Sequence, residues 1–240
     1  MKIVLLTALG VGGATVFGAL IGFIFKKISH KFSDVVLAFG AGVMLSASIL
    51  GLILPSLEYD TKYNTLVSLF GIFCGAICID LIEKLVPHID TITTTDNESF
   101  KKVMLFVLAI AIHNLPEGIA AGVGFGTGDI SSAIMIAAGI ALQNIPEGMV
   151  IIGPMLSVGI SPRKTFFFAA LTGLIEVIGT FIGYFAINLS ATILPFALSF
   201  AGGTMLYVIS NEMIPETHSH GNERAATYAL LVGFSIMLLF

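Results

Sequence analysis

Of 240 residues, 56% are hydrophobic and only 11% are charged, with a net charge of −4, and the mean hydropathy is +1.00. A water-soluble domain usually carries about 25% charged residues, so the composition excludes one and describes a chain built to sit in lipid. No basic stripe marks it for nucleic acid, and two cysteines cannot build a disulfide framework.

A bilayer-crossing helix needs roughly 20 apolar residues, and polar interruptions divide the chain into eight apolar stretches. The first, at 3–25, starts with Lys2 as a signal peptide would, but its apolar run is too long and too rich in glycine, so it reads as a retained helix. The second covers 35–57 and stops before Glu58 and Asp60, two acids that read as ordinary exposed charges beside a membrane, with attraction of cations as the alternative. The third, 65–86, carries Cys74 and Cys78, which read as small packing residues, and ends at Glu83 with His88 just beyond. A polar connection over 87–100 leads to the fourth stretch at 103–125 and the fifth at 131–153. The sixth, 164–187, has one carboxylate, Glu176, deep in its apolar run. The seventh, 193–211, runs into Asn211, Glu212, Glu216, His218 and His220, and the eighth, 225–240, is short. The expectation is an all-α polytopic membrane protein, a single transmembrane domain over 1–240 with eight transmembrane helices.

Lysine and arginine test this count, because short cytoplasmic loops hold the positive excess. With the N-terminus outside, Lys26, Lys27, Lys31, Lys84, Lys101, Lys102, Arg163, Lys164 and Arg224 fall inside, leaving Lys2 and Lys62 outside. One missed span would invert every later loop. The pattern predicts a multi-pass protein of the inner (plasma) membrane with both termini extracytoplasmic.

Residues 113–118 read His-Asn-Leu-Pro-Glu-Gly, and residues 143–148 read Gln-Asn-Ile-Pro-Glu-Gly. Consecutive spans run in opposite directions, so the two sextets form an inverted pair with three spans before it and three after. Inverted pairs near mid-depth hold the substrate site in many transporters, and the 3+2+3 layout invites a second inverted repeat. A weaker echo links Gly40-Ala41-Gly42-Val43-Met44-Leu45 with Ala201-Gly202-Gly203-Thr204-Met205-Leu206. Glycine pairs such as Gly18 and Gly22 let helices approach closely.

On a helix, residues three or four apart share a face, so Glu117 lies on the same side as His113 and Asn114, and Glu147 on the same side as Gln143 and Asn144. Pro116 and Pro146 donate no backbone hydrogen bond, which frees the carbonyls of Ile112 and Leu142 beside those ligands. A glutamate at mid-bilayer costs roughly 2.5–3.5 kcal/mol on insertion scales, so Glu117, Glu147 and Glu176 together need compensation on the order of 8–10 kcal/mol. One imidazole, carboxylates and amide oxygens suit zinc, iron(II) or manganese. A divalent cation would supply the compensation, and its binding would displace protons, so uptake should weaken in acid. A rival from another class is an intramembrane metal-dependent enzyme, since facing helices also build di-iron sites. Its usual signatures, Glu-x-x-His on two helices or His-Glu-x-x-His, are missing from the sequence.

These motifs, the sixth-span glutamate and the eight-span outline resemble the ZIP (Zrt/Irt-like) family of divalent-metal transporters, most closely its bacterial GufA-like branch. The resemblance implies metal import into the cytoplasm through a binuclear site between spans four and five. His113, Glu117, Gln143 and Glu147 would form the primary site, with Asn114, Asn144 and Glu176 joining the two glutamates at the second. Glu83, His88, Glu212, Glu216 and His218 resemble the family's cytoplasmic exit region. No cofactor is implied; zinc is the leading substrate, with iron, manganese and cadmium as others. The expected partners are the metal, the bilayer and a second copy of the chain in a homodimer. Many family members have histidine where this chain has Gln143.

Overall fold

The computed structural model describes residues 1–25, 29–59, 63–85, 98–189 and 193–239. Among them the regular structure is helical: α1 (Lys2–Ile24), α2 (His30–Leu57), α3 (Asn64–Leu85), α4 (Glu98–Val123), α5 (Ile130–Ser157), α6 (Pro162–Leu189), α7 (Leu194–Thr217) and α8 (Glu223–Met237). Helices α1 to α7 are long and apolar enough to cross a bilayer, whereas α8 has 15 residues.

The surface is apolar and the interior is small. Helix α3 turns Leu66, Phe70, Phe73 and Ile77 outward, while a side chain at Gly12 of α1 or Gly173 of α6 would strike the other residue's backbone carbonyl. Lipid offers helices no hydrophobic reason to associate, so close van der Waals approach at small residues is what holds them together.

The pairings repeat. Helix α4 packs on α6 as α5 packs on α1, α3 packs on α7 as α8 packs on α2, and α7 touches α4 as α2 touches α5. Both α2 and α7 widen into π-helical turns, at Ala47–Ile53 and Ile209–Met213, before a last turn containing Pro55 or Pro215. Proline clashes with the carbonyl four residues back, and the wider turn accommodates it: Leu54 bonds Ile49 and Ile214 bonds Ile209, each five residues back.

The expected span boundaries shift in one informative place. Helix α7 does not stop near residue 211 but runs to Thr217, because Asn211, Glu212 and Glu216 line an internal cavity instead of marking a loop.

Candidate metal centre

Helices α4 and α5 continue through Pro116 and Pro146, so each sextet keeps its polar residues on one face. That face is buried. Asn114, Gln143, Asn144 and Glu176 have no exposed surface and Glu117 has 1%, whereas His113 and Glu147 each keep 8%. Only the last two reach the internal cavity.

Glu176 arrives from α6 and accepts three hydrogen bonds. Asn114 Nδ2 and Thr15 Oγ1 each donate to its Oε1 at 2.6 Å, and Asn144 Nδ2 donates to its Oε2. Gln143 Nε2 donates to Glu117 Oε2 and to Asn144 Oδ1. The remaining polar atoms of the two sextets include four oxygens. Asn114 Oδ1, Glu117 Oε1, Gln143 Oε1 and Glu147 Oε2 are buried with no donor among the described residues. An unmet buried acceptor costs about 1–3 kcal/mol, and a cation is the partner that satisfies several at once.

A second group adjoins the first through His113. Ligand atoms of Glu83 on α3, His113 and Glu212 on α7 lie within 4.8 Å of one another. His113 Nε2 is 2.7 Å from Glu212 Oε1 and 3.9 Å from Glu83 Oε1. The Tyr207 hydroxyl donates to Asp80 Oδ1 at 3.1 Å and to Glu83 Oε2 at 3.4 Å, and Asn211 Nδ2 donates to the same Glu83 oxygen at 3.4 Å. A cavity of about 490 Å³ opens onto this group, lined by His113, Glu147, Asn211, Glu212 and Glu216. It lies where α2 and α4 begin and α5 and α7 end. A cavity of about 460 Å³ at the other end is lined by Ser46, Gly51, Pro55, Glu58 and Asp129 among others, and none of the sextet residues reaches it.

The structure therefore brings together His113, Asn114, Glu117, Gln143, Asn144, Glu147 and Glu176, and sets Glu83 and Glu212 beside them. Glu216 sits at the cavity wall. His218 does not join: its ring nitrogens face the Ile214 carbonyl at 2.8 Å and Thr227 Oγ1 at 3.2 Å. His88 lies outside the described residues. Sequence reasoning missed Thr15, Tyr207 and Asp34. Asp34, only 1% exposed, meets His220 Nδ1 at 3.0 Å and accepts from Asn222 Nδ2 at 2.9 Å, which fastens the α7–α8 turn to α2. A buried acid near a span end was the available signal for Asp34; Thr15, a lone hydroxyl in an apolar run, gave none.

Apolar-surfaced helices around a buried, oxygen-rich set of candidate ligands, reached by a cavity from one end, fit a polytopic membrane transporter of divalent metal. Residues 90–240 match the family described as ZIP zinc transporter. The chain is 36% identical to the zinc transporter GufA of Myxococcus xanthus over 98% of its own length and 96% of that protein's. It is 35% identical to the zinc transporter ZIPB of Bordetella bronchiseptica, covering 94% of this chain and 76% of that one, and 29% identical to zinc transporter ZIP11 of Xenopus tropicalis, covering 94% and 92%. The chain belongs to the ZIP family of metal transporters, and the enzyme alternative falls with that assignment.

Proposed function

We propose that the chain imports divalent transition metal into the cytoplasm, zinc foremost, with iron(II), manganese and cadmium as further substrates, through a two-ion centre between α4 and α5. The observation that carries this reading is the set of donor-less oxygens on Asn114, Glu117, Gln143 and Glu147, beside a cavity that reaches His113 and Glu147. The names of the relatives support zinc.

Direction follows from charge. The cavity at His113 lies at the end where α2 and α4 begin and α7 ends, the end to which the sequence positions of Lys31, Arg163, Lys164 and Arg224 belong, and such an excess marks the cytoplasmic side. Eight spans in an inverted repeat, with both termini outside, fit this assignment and the paired helix contacts.

His113 gives the release step. Its Nε2 sits against Glu212, so the nitrogen holds either the metal or the Glu212 carboxylate. As Glu212 and Glu83 draw the ion toward the cavity, Nε2 gives up the metal, takes a proton from water in the cavity and donates it in a hydrogen bond to Glu212. Exchange of partners keeps the imidazole satisfied at each stage.

Radiometal uptake into proteoliposomes by wild type, Glu117→Ala and Glu147→Ala tests the site. Both variants should lose uptake by about 100-fold or more, beyond the 10–100-fold typical of groups that only support a ligand. Equal uptake by all three, with folding verified, would overturn the assignment. Zinc, cadmium, iron(II) and manganese in the same assay rank the substrates.

A further inference from the structure

Thr15 lies on α1, in a stretch of alanine, glycine and valine, and has no exposed surface. Buried threonines in membrane helices usually return the hydroxyl to their own backbone, and this chain follows that habit elsewhere. Thr172, Thr180, Thr204 and Thr217 donate to carbonyls three or four residues earlier. Thr15 instead donates across to another helix, onto Glu176 Oε1 at 2.6 Å.

The paired contacts give this bond a second meaning. A side chain at Gly148 would strike the Thr15 carbonyl, and one at Gly118 would strike the Glu176 carbonyl. Gly18 meets Ile145 as Gly179 meets Leu115. One constant offset relates Gly12 to Gly173, Thr15 to Glu176 and Gly18 to Gly179. Thr15 thus occupies on α1 the register that Glu176 occupies on α6. Where one half of the molecule supplies a carboxylate, the other supplies the hydroxyl that grips it.

We propose that Thr15 is a positioning residue of the metal centre, holding Glu176 Oε1 so that the carboxylate faces the second ion beside Glu117 and Glu147. The proposal rests on the two-ion reading above. Thr15 and Asn114 fix one oxygen and Asn144 the other, so Glu176 is clamped from three helices. The second ion's surroundings are then one-sided: α6 contributes a carboxylate oxygen and α1 contributes only orientation.

The test is zinc titration of the purified full chain, with bound metal counted directly, together with radiozinc uptake into proteoliposomes. Thr15→Val should weaken the second zinc by about 10–100-fold, the usual effect of removing a group that hydrogen-bonds a metal ligand, and leave the first zinc within about 3-fold. Thr15→Ser, which keeps the hydroxyl, should restore the second zinc to within about 3-fold of wild type; Thr15→Ala carries the valine's expectation should that variant not fold. In a Glu176→Gln background Thr15→Val should add nothing, because residues that act through one another are not additive. Equal losses in both backgrounds, or wild-type binding by Thr15→Val, would overturn the proposal. Unchanged zinc stoichiometry in Glu176→Gln alone would overturn the two-ion reading itself, and is read without any change at Thr15.

Discussion

The first three helices and the last three pack by one rule and carry different chemistry. Glycines meet carbonyls in matching pairs: Gly42 faces Leu230 and Gly233 faces Phe39, as Gly203 faces Ile72 and Gly75 faces Phe200. In the same registers the polar groups diverge. The α3–α7 pair carries Tyr207 hydrogen-bonded to Asp80, while Ser46 and Leu238, at the corresponding places of α2 and α8, line the opposite cavity, and Ser46 Oγ has no partner among the described residues. His113 stands opposite Gln143. The backbone packing is thus alike in the two halves, while the Glu83, His113 and Glu212 group has no counterpart among the described residues at the Ser46 and Leu238 end. That difference makes an otherwise two-fold scaffold chemically one-ended.

The most severe way to break the comparison is to make the sextets alike. His113→Gln removes the one imidazole shared by the centre and the Glu83–Glu212 pair, and should lower zinc uptake about 100-fold or more in proteoliposomes. The reverse change, Gln143→His, should shift preference toward zinc over manganese by about tenfold, since imidazole favours the borderline ion. Unchanged selectivity in that variant would mean that the α5 half does not tune which metal is accepted.

Packing symmetry is broken next. Gly148→Val drives a side chain into the Thr15 carbonyl, whereas nothing lies within 4 Å of a Cβ at Gly13. Overpacking usually costs about 1–3 kcal/mol. Thermal unfolding in detergent should show Gly148→Val destabilised by at least that much and Gly13→Ala near wild type. Gly118→Val, in the matching register on α4, should resemble Gly148→Val; a tolerant Gly118 would mean the two halves are not equivalent.

Glu212→Gln separates the ends more gently. It removes the charge that sits against His113 Nε2 and should slow maximal uptake by about tenfold, equivalent to about 1.4 kcal/mol, while zinc affinity at the centre stays within about 3-fold. A variant that loses affinity and keeps its maximal rate would place Glu212 among the primary ligands instead.

How much of this was legible beforehand depends on whether chemistry or geometry wrote it. The sextets were readable because carboxylates in apolar runs have few explanations and a duplicated pattern has fewer. Span positions were readable for the same reason, to within a few residues for α1, α3 and α6. Helix α7 was cut short because Asn211, Glu212 and Glu216 look like a loop to any hydropathy reading, and only the fold shows that they line a cavity. The π-helical turns before Pro55 and Pro215 leave no periodic trace. Thr15 was invisible, since its importance comes from the helix that crosses it and not from its neighbours in sequence. His218 looked like a ligand from its surroundings, but the turn after α7 sets it against Ile214 and Thr227.

The smallest predicted effect concerns the other cavity, where Glu58 and Asp129 could be mistaken for a second ligand pair. Asp129 is already engaged at the start of α5: its carboxylate accepts from the Ser131 backbone N–H at 2.9 Å and from the Ser132 hydroxyl at 2.7 Å. Those bonds, the Ser132 hydroxyl foremost, hold its pKa below the ordinary aspartate value. A carboxylate with a depressed folded pKa stabilises the protein above the unfolded value, about 3.9, and that contribution disappears as pH falls through the folded value. Asp129→Asn keeps a capping oxygen and removes the charge, so its melting temperature should fall slightly below wild type at pH 7, and the gap should narrow as pH falls below the ordinary aspartate value. A gap that keeps the same size as pH falls would mean the charge is not engaged by the cap. The carboxylate of Asp129 would then do no work in the cap, and the two ends of the molecule would differ less in chemistry than their linings suggest.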